Sequence, residues 1–162
     1  MINLLGFNLS WFGLVYWGDI FIPISLLLLI LHLYFYGHKN NELLLVLFVT
    51  MIGVFVDSLL QYFNIFIFES SFHIPLWLLT LWACFAATIC HSLNFLSRSR
   101  ILQILVGAFI APLSYVAGFK LNAVDFTLSV ASTYLILSGI WAILLIGFYA
   151  IKATLSDDER SA

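Results

Sequence analysis

A carboxylate stands in the middle of an apolar stretch, in the run IGVFVDSLLQYF around Asp57. An ionisable group at membrane depth is expensive to hold and commonly marks function. Thr50, Gly53, Asp57 and Gln61 recur at helical spacing and share one face, so this polar stripe is expected to point into a helix bundle. Two readings of Asp57 stay open: a hydrogen-bonded structural group that joins helices, or a ligand- or proton-binding carboxyl.

Depth arithmetic limits its partners. At 1.5 Å per residue, Asp57 lies about 21 Å from the cytoplasmic end of its helix, and His91 on the antiparallel next helix is offset from it by about 9 Å. A direct Asp57–His91 pair is therefore disfavoured. Ser114 and Tyr115 match Asp57 in depth, and Trp82, Cys84 and Tyr134 lie near that level. A second polar level is expected nearer the cytoplasm, where His91, His32, Asn8 and Trp11 converge. Two histidines at one depth raise metal ligation, but no His-x-x-His, Glu-x-x-His or Cys-x-x-Cys spacing accompanies them. Proton transfer, headgroup contact or a helix–helix hydrogen bond by His91 is the stronger expectation, and no metal or cofactor is expected. Trp11 and Trp82 either line a pocket for an apolar ligand or fill core.

The elements that position these residues follow from composition. Of 162 residues, 64% are hydrophobic and 9% charged, with a mean hydropathy of +1.12. Soluble domains run near half apolar and a quarter charged, so the chain reads as a polytopic membrane protein. Polar punctuation divides it into six apolar segments, at about residues 4–17, 20–36, 43–68, 74–96, 101–118 and 124–151. No alternating ten-residue pattern is present and open strands are not tolerated in lipid, so the class is all-α, a single bundle of six transmembrane helices over 1–151 with a polar tail, 152–162. Lys39, Arg98, Arg100, Lys152 and Arg160 fall on one side of such a bundle and Lys120 alone on the other. That split predicts two cytoplasmic termini. The first segment is short for a crossing, and it lacks the basic leader and cleavage site of a signal peptide. Gly107, Ala111, Ser114 and Gly118 form a small-residue face suited to close helix packing. Cys84 and Cys90, on one helix, are too far apart for a disulfide.

Net charge of −2 offers nothing to nucleic acid. No phosphate loop, serine elbow or zinc-protease helix occurs, so no enzyme class follows from signatures.

Three stretches taken together carry a resemblance: Asp57-Ser58-Leu59-Leu60-Gln61; Pro75-Leu76-Trp77 through Trp82 to Phe85, Thr88, His91 and Ser92; and Ala111-Pro112-Leu113-Ser114-Tyr115-Val116-Ala117-Gly118. With Asn8, Trp11 and Phe12, these resemble a bacterial inner-membrane family known as a domain of unknown function. Ala111 and Asn122 stand where that family usually has glycine. The resemblance implies an inner-membrane location and an association with lipid-modifying proteins of the cyclopropane-fatty-acid-synthase type, but no activity. Three functions remain open. The first is binding of a lipid or other apolar molecule by Asp57, Gln61, Trp82, His91, Ser114, Tyr115, Asn8 and Trp11, as an accessory factor in membrane-lipid metabolism or stress response, with membrane lipids and a membrane or lipid-enzyme protein as partners. The second is an intramembrane enzyme with Asp57 or His91 as acid–base group. The third is a small proton-coupled transporter.

Overall fold

The computed structural model describes residues 2–37, 41–68 and 74–161, with side chains over 3–37, 41–68 and 74–156. Lys39, used above for orientation, lies outside them. Among the described residues, seven α-helices carry the fold: α1 (Ile2–Trp17), α2 (Ile22–Tyr36), α3 (Glu42–Tyr62), α4 (Leu76–Ala86), α5 (Arg100–Leu105), α6 (Ala111–Lys120) and α7 (Val130–Ser161). Two short strands, β1 (Phe66–Ile67) and β2 (Asp125–Phe126), pair antiparallel with Phe66 opposite Phe126.

Four helical runs are long and apolar enough to cross a membrane: Asn3–Tyr36, Glu42–Tyr62, Arg100–Lys120 and Val130–Ser156. The first is not straight. Gly18 has φ +60°, a left-handed turn that costs glycine nothing, and the chain doubles back there through a 3₁₀ turn, Gly18–Phe21. Asn3 at the start of α1 consequently lies 3.4 Å from His32 near the end of α2, making an antiparallel hairpin. The exterior is strongly apolar, with Ile20 84% and Tyr62 77% exposed, which suits lipid and not water.

Several of the expected helices are shorter or broken. The third segment stops at Tyr62, because Asn64 adopts φ +54° and turns the chain into β1. The fourth ends at Ala86; beyond it, i→i+3 bonds such as Thr88 N–H to Phe85 O (2.8 Å) and His91 N–H to Thr88 O (3.1 Å) replace the α pattern. The fifth carries a π turn at Val106–Ile110, immediately before Pro112, whose missing N–H and bulky ring oppose a regular turn. The sixth begins at Val130 and has no break at residue 152: α7 continues to Ser161, so the expected tail is a helical extension.

Packing centres on Trp82, Trp141, Phe148 and Leu45, all buried. Trp82 stacks on Trp141 with centroids 5.2 Å apart and planes 8° from parallel. Its other face meets α3 at Gly53, where a Cβ would stand 2.1 Å from the indole. Gly107 likewise meets the backbone of Trp141 and Ala142, as the small-residue face anticipates. Gly53→Ala should therefore destabilise the protein by about 1–3 kcal/mol through overpacking. Gly139→Ala, with nothing within 4 Å, should be neutral or slightly stabilising. Thermal unfolding midpoints of the two variants in one detergent check the contrast.

Candidate functional site

Asp57 is fully buried. Trp82 of α4 donates from Nε1 to Asp57 Oδ2 at 2.6 Å, and Tyr115 of α6 donates from its hydroxyl to Oδ1 at 3.0 Å and Oδ2 at 3.3 Å. One carboxylate on α3 thus joins three helices. Gly53, one turn before Asp57 on the same face, makes room for the indole that reaches it. Phe66 of β1 stacks on the Tyr115 ring at 5.2 Å and fixes the phenol from the other side.

The two donors also form the wall of a cavity of about 440 Å³. Asn8 and Trp11 of α1, Trp82 of α4, Ser114 and Tyr115 of α6 and Trp141 of α7 all line it. Five of the eight expected ligand-binding residues therefore share one wall: Asn8, Trp11, Trp82, Ser114 and Tyr115. Asp57 and Gln61 are not on it. Asp57 instead accepts hydrogen bonds from two of the lining side chains, Trp82 and Tyr115. Ser114 bonds back to Ala111 O (2.7 Å), Tyr134 to Phe109 O (3.0 Å) and Cys84 to Ser25 O (4.0 Å), so these three share Asp57's depth without bonding to it.

His91 belongs to a different cluster. Its Nε2 lies 3.0 Å from Glu42 Oε2 and 3.1 Å from Oε1, while His32 Nε2 lies 2.8 Å from Glu42 Oε1. The expected meeting of His32 and His91 is present, but Asn3 accompanies them, and Asn8 and Trp11 line the first cavity instead. Glu42 was not anticipated. It opens α3 directly after a polar loop, where an acidic residue reads as a solvated helix start, yet it is 1% exposed. A second cavity of about 650 Å³ adjoins the histidines and is lined also by Asn3, Ser92 and Tyr36. Phe7 lies on the walls of both cavities.

The family model described as protein of unknown function (DUF2878) matches residues 1–146, and the chain belongs to that family. No curated protein and no solved structure matches it.

Chemically, the Asp57 centre is an acceptor held between two donors. Its removal should leave an indole N–H and a phenol O–H stranded, at about 1–3 kcal/mol for each orphaned donor. Asp57→Ala is expected to lower stability by that sum and to shift tryptophan fluorescence. Asp57→Asn, which keeps one carbonyl acceptor, should lose less, and the triple variant Asp57→Leu, Trp82→Phe, Tyr115→Phe should recover part of the loss. Chemical or thermal unfolding of the three proteins in detergent measures the ranking.

Proposed function

We propose that this member of the family is an inner-membrane protein of six crossings, with both termini cytoplasmic, that binds a lipid chain or another apolar molecule in the cavity beside Trp82 and Tyr115. The cavity carries the reading. Its volume falls within the range of about 300–1,000 Å³ common for small-molecule sites, and its walls are apolar with a few placed polar groups. Tyr115, Asn8 and Ser114 supply those groups, and the indoles of Trp11, Trp82 and Trp141 supply apolar surface. Such a division suits a molecule that is mostly hydrocarbon with one polar end.

The six-crossing arrangement draws support from the α1–α2 hairpin. The Asn3–His32 approach returns the chain to the side on which α1 began, which two crossings require and one would not permit. With α1 and α2 at about 24 and 22 Å, each is short of a hydrocarbon core of about 30 Å, so local thinning or the flanking turns must complete the passage. Membrane lipids are the natural partners, and a role beside lipid-modifying enzymes fits a binder better than a catalyst. An acid–base pair of Asp57 and His91 draws no support from their positions, since each is bonded within a separate cluster.

Mass spectrometry of the protein released from native nanodiscs tests the binding. Wild type should retain one defined apolar species, and Ala111→Phe, which places a ring in the lined space, should reduce it about tenfold, an effect of about 1.4 kcal/mol. Equal retention of bulk phospholipid alone by both proteins would make the cavity a packing defect and end the proposal.

A further inference from the structure

The cluster at the other polar level has the donor set of a metal centre. We propose that His32, Glu42 and His91 bind a divalent first-row transition ion of the zinc class, with an open coordination position facing the second cavity. The three ligands come from three places: the end of α2, the start of α3 and the irregular segment after α4. Their donor atoms lie within 4.8 Å of one another. Tetrahedral bonds of about 2.0–2.1 Å put neighbouring ligand atoms about 3.3 Å apart. The separations of 2.8, 3.0 and 3.1 Å about Glu42 reach that value with small outward shifts.

The donor types select the ion. Two imidazoles and one carboxylate suit zinc and its first-row neighbours, whereas magnesium and calcium call for oxygen alone. Three protein ligands with a fourth position left open is the pattern of catalytic and not structural zinc sites. Access is graded: Glu42 is 1% exposed, His32 11% and His91 29%, and both histidines line the second cavity. The two imidazole rings stand at 88° with centroids 4.7 Å apart, so they close in on Glu42 from different directions.

An outer layer holds the ligands in place. Asn3 Nδ2 lies 3.4 Å from His32 Nδ1, donates to Ala87 O at 3.1 Å, and its Oδ1 accepts from Ser92 Oγ at 2.6 Å. Tyr36 stacks on His32 at 5.5 Å and meets His91 edge-on at 5.7 Å. Orientation of metal-bound histidines through their second nitrogen is a general feature of such centres. Binding through Nε2 leaves the ring proton of His32 on Nδ1, which Asn3 receives only by turning its amide so that Oδ1, not Nδ2, faces the ring. The site is independent of whatever occupies the first cavity.

Cobalt(II) alone serves as the probe, added to tag-free, chelator-treated full-length protein in detergent and followed by visible absorption. Wild type should show a saturable band of tetrahedral intensity at one ion per chain, abolished by Zn²⁺ and untouched by excess Mg²⁺ or Ca²⁺. Glu42→Gln and His91→Ala should each weaken the ion by about 100-fold or more, beyond the 10–100-fold typical of outer-layer losses. Glu42→Gln keeps a carbonyl acceptor for the imidazoles, so a circular-dichroism melt near that of wild type separates loss of the ion from loss of the fold. Absence of a saturable band in wild type, or a band of equal strength in both variants, would overturn the assignment.

Discussion

A carboxyl group placed where water does not reach must find its hydrogen-bond partners inside the protein, and the fold is arranged around that requirement at Asp57. Two donors meet it, the Trp82 indole and the Tyr115 phenol, and each comes from a different helix. The consequences spread outward. Trp82 can approach only because position 53 lacks a side chain, and its far face then stacks on Trp141 of α7. Tyr115 is backed by Phe66, which is in turn paired through β1 to β2 and stacked on Phe126. One buried acceptor thereby sets the relative positions of α3, α4, α6 and α7 and fixes two side chains on the cavity wall.

A related constraint explains how the broken stretch after α4 survives. Outside a regular helix some carbonyls keep only an i→i+3 partner, as Phe85 O, Leu93 O and Leu96 O do, and hydrocarbon offers no further donor. Side chains from elsewhere fill the places. Asn3 of α1 donates to Ala87 O, Lys152 of α7 to Ile89 O (3.1 Å), Tyr149 of α7 to Leu93 O (2.6 Å) and Gln103 of α5 to Leu96 O (3.0 Å). Thr88 closes the set locally on Phe85 O (2.6 Å). The polar residues Lys152 and Gln103, unremarkable in the sequence, are therefore structural ligands of the backbone. The break they stabilise is also what frees His91 from the α4 face and carries it to Glu42.

The sequence made some of this legible and hid the rest for identifiable reasons. The helical class and the inward stripe through Gly53 and Asp57 follow from composition and periodicity. Depth counting selects Trp82 and Tyr115, and it separates His91 from Asp57. Depth is one coordinate, however, and it leaves rotation about the helix axis undetermined. Ser114, Cys84 and Tyr134 match in depth and bond elsewhere for that reason. The end of α4 at Ala86 carries no glycine or proline to announce it, and the remedy lies in side chains up to 84 residues away in sequence. Glu42 escaped notice because an acid at a helix start reads as solvated; its burial depends on the α1–α2 hairpin folding over it. Asn3, in place of Asn8, follows from the same hairpin.

The two polar levels divide the work between them. At Asp57 the carboxyl is fully buried and accepts from two side chains, the Trp82 indole and the Tyr115 phenol. At Glu42 the carboxylate is equally buried, but both of its histidines line a cavity. Phe7, on the walls of both cavities and edge-on to Phe85 at 6.2 Å, stands between the levels. An apolar cavity beside Trp82 and Tyr115 and an imidazole–carboxylate cluster beside the second cavity therefore lie next to one another, with Phe7 on the walls of both cavities.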